Sequence, residues 1–201
     1  MMQPTQADPA FFAKYSARLS AVLASSDWSE VARLAQAMQT CWNEGRDVFF
    51  CGNGGSAGNA IHLANDYLYG IAKHTGGGLR VHALSANPAV ITCLANDVGY
   101  DKIYSEQLAV LGRPGDLLIV LSGSGNSPNV VSALEQAAAM GITSCAILGY
   151  GGGRCKELAD IPIHFPIEDM QIAEDLQLIV GHMLMQWLCA NPAKNNYRTD
   201  D

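Results

Sequence analysis

The sequence predicts an α/β protein built on a doubly wound, five-stranded parallel sheet with an N-terminal helical hairpin. Three observations lead to this fold class: helical spacing of apolar residues before the first strand, five short apolar segments, and helical segments between them. Strands that are buried on both faces read as nearly continuous apolar runs. Because such segments alternate here with helices, we expect a parallel sheet covered by helices on both faces.

The N-terminal region, from about residue 10 to residue 45, is predicted to form two helices. Its apolar residues recur at the spacing of the buried face of an amphipathic helix. Ser26 and Asp27 separate two such stretches and are candidate N-caps of the second helix. We therefore expect a helical hairpin ahead of the sheet.

The predicted strands and a long final helix make up the rest of the domain. The strand segments are 47–52, 79–84, 116–122, 143–149 and 160–165. The segment 169–188 is apolar on several sides, as expected for a helix in a core or a subunit interface. We expect a single domain over 1–201, with a helical extension at about 10–45, a core at about 46–189 and a polar tail at 190–201.

The charge and cysteine content exclude several classes of partner. The net charge is −7, so no basic surface attracts a nucleic acid backbone. Charged residues make up 15% of the chain, well below the roughly 25% of an average domain, which favours burial of surface in a homo-oligomer. The six cysteines include no Cys-x-x-Cys pair, and no signal peptide or membrane span is recognisable. We expect a cytoplasmic protein without a membrane partner.

Two loops rich in glycine and serine follow the first and third predicted strands. The first contains Asn53, Gly54, Gly55 and Ser56, and the second contains Ser122, Gly123, Ser124 and Ser127. In open α/β sheets, ligands bind beyond the carboxyl ends of the strands. Hydroxyl groups and the backbone N–H groups at a helix start bind phosphate without a formal positive charge. Such residues also occur in ordinary turns and N-caps, but two loops in one sheet favour a shared phosphate site. A third glycine-rich loop, 149–153, is expected to be structural.

A simple phosphorylated metabolite fits these loops better than a nucleotide cofactor does. The first loop matches Gly-x-Gly-x-x-Ala, a weak dinucleotide motif. That motif needs an acidic residue at the end of the second strand, where this chain has Ala83, Leu84, Ser85 and Ala86. The Gly-x-x-x-x-Gly-Lys-Ser/Thr motif that binds ATP phosphates is absent from the sequence.

Four segments together resemble the sugar isomerase (SIS) domain and, within it, the phosphoheptose isomerase family. They are CGNGGSA at 51–57, LANDVGYD at 94–101, LSGSGNSPNV at 121–130 and the final helix with His182. The resemblance covers nearly the whole chain. It implies a flavodoxin-like SIS fold and interconversion of sedoheptulose 7-phosphate and glycero-manno-heptose 7-phosphate, for a lipopolysaccharide, capsule or other heptose pathway. It also implies a homotetramer whose sites are completed across subunits.

The same resemblance assigns roles to individual residues. Both loops would bind the substrate, with Ser122, Ser124 and Ser127 on its phosphate, and Asn96 and Asp97 would contact its sugar chain.

The resemblance also implies one zinc ion per subunit. The family's ligands are His, Glu, Gln and His, and the matching positions here are His62, Asp66, Glu174 and His182. Asp66 is thus a shortened carboxylate, and Glu174 replaces an amide. His62 and Asp66 are four positions apart and share a helix face. Glu174 and His182 are about 12 Å apart along an ideal helix, so both side chains would have to stretch towards one ion.

Aldose–ketose isomerisation moves a proton between neighbouring carbons. It needs a base, an acid at the sugar oxygens and stabilisation of an enediolate. By resemblance, Asp66 is the base and His182 is the acid/base partner on the oxygens. Because Asp66 is about one methylene shorter than the family's glutamate, Glu174 is an alternative base.

A noncatalytic phosphosugar-binding SIS protein is the competing interpretation. The replication-initiator-associating adaptor and the sugar-sensing domains of regulators are of this kind. Such a binder would not need His62 and His182, so their presence favours an enzyme. The altered residues Asp66 and Glu174 are compatible with a noncatalytic binding protein, so this interpretation stays open.

Overall fold

A five-stranded parallel sheet forms the centre of the protein, for which the computed structural model describes residues 7–193. The strands are β1 (Asp47–Gly52), β2 (Arg80–Ala83), β3 (Leu117–Ser122), β4 (Thr143–Leu148) and β5 (Ile161–His164). Their order is β2-β1-β3-β4-β5, and every pairing is parallel. This is the flavodoxin-like order, in which the direction of winding reverses between β1 and β3. The doubly wound fold class and its five strands are therefore confirmed.

Helices cover both faces of the sheet. Two of them, α1 (Pro9–Ser25) and α2 (Ser29–Glu44), come before β1 and confirm the predicted hairpin. The later helices of the described chain are α3 (Gly55–Asn65), α4 (Ile71–Thr75), α5 (Pro88–Asp97), α6 (Ser105–Leu111), α7 (Pro128–Ala139), α8 (Gly153–Leu158) and α9 (Met170–Ala190). A π-helical turn at Asp66–Gly70 joins α3 to α4, and a 3-10 turn at Tyr100–Lys102 precedes α6.

Each face of the sheet carries its own hydrophobic cluster. Val48 and Phe50 of β1 pack on the side of α2, α3 and α9, whereas Phe49 and Cys51 pack on the side of α6 and α7. This alternation follows from the two-residue repeat of a strand, and burial on both sides explains the continuous apolar runs. As a result, the carboxyl edge of the sheet lies between α3 and α9 on one face and α7 on the other.

The helix α1 lies at the surface of the described chain. None of its residues is fully buried, and Phe11 is 71% exposed. Two polar contacts join it to α9: the Tyr15 hydroxyl donates to Asp175 at 2.6 Å, and Arg18 lies 2.9 Å from Asp169. Burial and the hydrogen bond to Asp175 raise the pKa of Tyr15 to about 12.

The start of α2 differs from the prediction, and the segment that follows α9 is only partly described. The N-cap of α2 is Trp28, so the prediction of Ser26 or Asp27 was wrong; Asp27 instead accepts a hydrogen bond from the first N–H of the helix. The helix α9 ends at Ala190, and the predicted polar tail beyond residue 193 lies outside the described residues. In the described part of the chain, no helix is long and apolar enough to cross a bilayer.

Candidate active site

A cavity of about 270 Å³ opens at the carboxyl edge of the sheet, between the loops that follow β1 and β3. These two strands are neighbours, so their loops meet at the point where the winding reverses. The lining residues are Asn53, Gly54, Gly55, Ser56, Leu121, Ser122, Gly123, Ser124, Ser127, Met170 and Glu174. The structure thus brings together every loop residue that the sequence singled out, and it adds Leu121, Met170 and Glu174.

The donors around this cavity are mostly neutral. Its lining includes serine hydroxyls, an asparagine amide and glycine N–H groups, but no lysine or arginine. The helices α3 and α7 begin at Gly55 and Pro128, so the positive ends of their dipoles lie at the two loops. Proline suits the first position of α7, where a backbone N–H has no partner within the helix. This arrangement can bind a phosphate group.

The glycine-rich segment 149–153 and the start of α8 support the second loop. The carbonyl oxygen of Gly125 accepts a hydrogen bond from the N–H of Cys155 at 2.9 Å. The side-chain oxygen of Asn126 accepts one from the N–H of Arg154 at 3.0 Å. Gly125 has a φ of 68°, and a Cβ there would overlap the carbonyl oxygen of Gly152. Two of these contacts are with N–H groups of α8 and the third is with the backbone of Gly152; the structural role expected for the segment stays a prediction.

Asn53 is linked to Asn129 by a reciprocal pair of hydrogen bonds. Each side-chain Nδ2 donates to the other residue's Oδ1, in both cases at 2.8 Å. The hydroxyl of Tyr100 also donates to Asn53 Oδ1, at 3.1 Å, and the hydroxyl of Tyr104 donates to the carbonyl oxygen of Gly52. Burial raises the pKa of Tyr104, which keeps this donor protonated. Sequence reasoning missed these partners; the position of Asn129 directly after the helix-opening proline was the available signal.

His62, Asp66 and His182 form a compact cluster further along α3. Asp66 Oδ2 lies 3.4 Å from His62 Nε2 and 3.5 Å from His182 Nε2. The two Nε2 atoms are 3.1 Å apart, and the ligand atoms of all three residues lie within 4.8 Å of one another. Two imidazole nitrogens and a carboxylate oxygen are a donor set that suits zinc, and three protein ligands leave one position for a water or substrate oxygen.

Close packing of α9 on α3 brings His182 to this cluster. A Cβ at Gly181 would overlap Leu63 Cδ2 and would lie 2.8 Å from Leu63 Cδ1 and 3.1 Å from its Cγ, so a glycine is needed for this approach. Tyr67 lies in the π-helical turn that begins at Asp66, and its hydroxyl donates to the carbonyl oxygen of Gly181 at 2.8 Å. Burial raises the pKa of Tyr67, so the hydroxyl remains a donor. Such π-helical turns often occur at functional sites.

Glu174, expected from the family pattern as a zinc ligand, does not join this cluster. Its carboxylate lines the cavity, and a Cβ at Gly55 would overlap it. Glu174 and His182 are eight positions apart, which is about 12 Å along α9, and the zinc-ligand role of Glu174 stays a prediction. One turn later, Gln177 is buried and donates to Ser56 Oγ at 3.0 Å. The Glu174 carboxylate therefore lies beside the two loops that line the cavity.

Asn96 and Asp97 lie in the last turn of α5 and are outside the cavity lining. Both are exposed, and Asn96 Nδ2 donates to Asp97 Oδ1 at 2.7 Å. Their contact with a sugar chain stays a prediction.

The cavity lies at the start of α3, whereas the cluster lies at its end, where Asp66 begins the π-helical turn and His182 approaches from α9. Gly55 lies at the cavity, whereas His62 and Asp66 follow seven and eleven positions later. At 1.5 Å per residue, these positions are about 10 Å and about 16 Å further along the helix axis. One chain therefore carries its phosphate-type loops and its histidine–carboxylate cluster as two separate groups.

Comparison with known proteins identifies the family. A model of the SIS domain matches residues 10–149. The phosphoheptose isomerase of Akkermansia muciniphila is 38% identical over 157 residues, which are 78% of this chain and 82% of that protein. Solved phosphoheptose isomerases from Francisella tularensis and Neisseria gonorrhoeae superpose with TM-scores of 0.85 and 0.82. Each is 27% identical, and each alignment covers 90% of this chain and 96% of that chain. The chain therefore belongs to the SIS domain family and, within it, to the phosphoheptose isomerases.

Proposed function

We propose that this protein interconverts sedoheptulose 7-phosphate and glycero-manno-heptose 7-phosphate. One observation carries the proposal: a phosphate-type cavity lies at the first turn of α3, and a histidine–carboxylate cluster lies about two to three turns further along the same helix. A phosphosugar isomerase needs both parts, an anchor for the phosphate and groups that transfer a proton. The 38% identity to a phosphoheptose isomerase supports the seven-carbon substrate.

The phosphate binds in the cavity at the carboxyl edge of the sheet. The second loop supplies the hydroxyls of Ser122, Ser124 and Ser127, and the first loop supplies the N–H groups of Gly55 and Ser56. These donors are neutral, so the dipoles of α3 and α7 provide the favourable potential for the anion.

A carboxylate and a histidine transfer the proton. Asp66 removes the proton next to the carbonyl group and returns it to the neighbouring carbon, while His182 exchanges a proton with the sugar oxygens. The position of Asp66 supports this role, because His62 and His182 both lie within 3.5 Å of its Oδ2. Glu174 is the alternative base, since its carboxylate lines the phosphate cavity.

One zinc ion per subunit is assigned to His62, Asp66 and His182. The two imidazoles and the carboxylate fit zinc better than magnesium or calcium, which prefer oxygen ligands. When bound, zinc would polarise a sugar oxygen and stabilise negative charge on it. Glu174 is the fourth ligand that the family pattern implies, and its carboxylate lies at the neighbouring cavity.

A cytoplasmic homotetramer, with each chain a single domain, completes the proposal. Large apolar side chains are exposed on α1 and α9, among them Phe11, Phe12, Met183 and Trp187. Burial of such side chains against sister subunits would remove them from water. The separation of cavity and cluster along α3 also supports sites that combine groups from two subunits. A stable monomer in sedimentation experiments at micromolar concentration would refute this assembly.

The test is proton NMR with sedoheptulose 7-phosphate in deuterated buffer, on metal-free protein and on protein with added zinc. We expect the aldose to appear with solvent deuterium at C2, because the enediolate takes up a deuteron there, and we expect added zinc to raise the rate. Saturable binding without turnover would instead indicate a phosphosugar-binding protein that lacks the isomerase activity.

Three variants assign the base and the acid. Asp66→Asn and His182→Ala are expected to abolish turnover and leave the fold intact, whereas Glu174→Gln is expected to retain it. Loss of turnover in Glu174→Gln, together with retained turnover in Asp66→Asn, would identify Glu174 as the base. The matched control is His74→Ala, since His74 is exposed on α4 and lies outside both groups. Activity within a few-fold of wild type in Asp66→Asn and His182→Ala would refute the cluster as the catalytic centre.

A further inference from the structure

We infer that Asn129 is a positioning residue that orients the side-chain amide of Asn53 towards the substrate. Asn129 is 1% exposed and is the second residue of α7, whereas Asn53 follows β1 and lines the cavity. The reciprocal 2.8 Å pair between them joins the two substrate loops directly. Only the kinetic test of this inference depends on the proposed function.

A backbone donor determines which way each amide faces. The N–H of Val130 can only donate, and it donates to Asn129 Oδ1 at 3.0 Å. This identifies the oxygen of the Asn129 amide, so its other atom is Nδ2, which can only donate. Asn129 Nδ2 lies 2.8 Å from a side-chain atom of Asn53. Because that atom accepts the hydrogen bond, it is Asn53 Oδ1.

The orientation of Asn53 decides what it offers to a ligand. Its Oδ1 already accepts from Asn129 and from the hydroxyl of Tyr100, and the hydroxyl of Tyr104 lies 3.3 Å from it. Its Nδ2 carries two hydrogens, of which one is donated to Asn129 and the other has no acceptor among the described residues. Asn53 therefore presents an N–H donor at the cavity, which suits a phosphate or sugar oxygen.

An aspartate at position 129 would disturb this arrangement in a pH-dependent way. An ionised carboxylate would place an oxygen against Asn53 Oδ1, where the amide of Asn129 now donates. A protonated carboxyl would restore the donor and reproduce the pair. The titratable groups that face this pair are Tyr100, Tyr104 and Lys102, whose ammonium group lies 3.1 Å from a serine hydroxyl one turn along α7.

A double-mutant cycle tests whether Asn129 acts through Asn53. Asn129→Leu and Asn53→Ala are each expected to lower kcat/KM for sedoheptulose 7-phosphate by about tenfold, the effect of one hydrogen bond to the substrate. The double variant is expected to lose no more than Asn53→Ala alone. Losses that multiply in the double variant would overturn the inference. Ser132→Ala, one turn along α7, is the control and should leave kcat/KM unchanged.

The pH profile separates a positioning role from a purely structural one. Relative to wild type, Asn129→Asp is expected to recover activity as the pH falls from about 8.5 to about 5.5, because burial favours the protonated carboxyl. Asn129→Leu should stay impaired to the same degree over this range. Equal, pH-independent losses in both variants would make Asn129 a structural residue and the inference wrong.

Failure of the proposed function can be told apart from failure of this inference. Wild-type protein that does not convert the sugar refutes the function, and the inference is then tested by NMR on the amide itself. The Asn53 side-chain signals are identified by their loss in Asn53→Ala. One Nδ2 hydrogen is expected to exchange slowly with water in wild type and quickly in Asn129→Leu. Unchanged exchange in Asn129→Leu would overturn the inference.

Discussion

Gly181→Ala tests whether the close approach of α9 to α3 holds His182 in place. An added Cβ would overlap Leu63 Cδ2 and would lie 2.8 Å from Leu63 Cδ1 and 3.1 Å from its Cγ. Carbon atoms pack at about 3.5 to 4.0 Å, so the two helices must separate by about 1 Å or more. Leu63 is 1% exposed and has no route by which to move into solvent. The strain therefore falls on the position of α9.

The effects of this substitution on stability and on activity differ in size. Overpacking costs about 1 to 3 kcal/mol, and replacing a helical glycine by alanine returns about 1 kcal/mol. The free energy of unfolding should thus fall by about 0 to 2 kcal/mol. A displacement near 1 Å of a catalytic group lowers the rate about a hundredfold, so we expect kcat/KM to fall by about that factor.

Urea unfolding followed by circular dichroism and isomerase kinetics are the two measurements. Gly58→Ala is the matched control, because Gly58 is an exposed residue of α3 with no described atom within 4 Å of an added Cβ. The control should gain about 1 kcal/mol of stability and keep its activity. If Gly181→Ala behaves like Gly58→Ala in both measurements, the reasoning about helix approach is refuted.

Three further perturbations follow from single contacts. Tyr67→Phe removes the side-chain donor from the carbonyl oxygen of Gly181, which keeps its helical N–H donor in α9, and should lower the free energy of unfolding by about 0.5 to 1.5 kcal/mol in urea titrations; an unchanged value would contradict this. Burial and the bond to Asp175 raise the pKa of Tyr15 from 10.0 to about 12, so the contact stabilises the fold below pH 10 and is lost as the pH rises towards 12. Tyr15→Phe should remove that loss from thermal melts, and persistence of the loss would argue against the contact. Burial raises the pKa of Asp47, but hydrogen bonds from the histidine and arginine of β2 outweigh it, and the pKa lies below 3.8. The stabilisation from the ionised Asp47 is present above about pH 4 and lost below it. In Asp47→Asn, the free energy of unfolding should therefore fall less as the pH is lowered, and a fall equal to that of wild type would contradict this role of Asp47.

The sheet could be predicted because a strand buried on both faces is a run of consecutive apolar residues in the sequence. In β1, Val48 and Phe50 face one cluster while Phe49 and Cys51 face the other, so four apolar residues follow one another in the chain. The phosphate-type cavity could be predicted for a related reason. Parallel strands end at one edge of a sheet, so loops that follow neighbouring strands meet there.

Contacts between distant residues were harder to predict. The pairing of His62 with Asp66 follows from helical spacing, but His182 reaches them across 120 positions through the packing of α9 on α3. The family pattern grouped Glu174 with these residues, and in the structure its carboxylate lines the cavity.

The sequence by itself therefore determined the fold class, the strands, the two glycine- and serine-rich loops and the pairing of His62 with Asp66, since each depends on residues a few positions apart. Tertiary structure alone decided the closure of the His62–Asp66–His182 cluster, the place of the Glu174 carboxylate and the link between Asn53 and Asn129. The physical reason is that these depend on how helices dock. Shifts of about 1 Å in the position of a docked helix depend on side chains that are packed together but far apart in the chain. The local spacing of residues in the sequence contains no information about them.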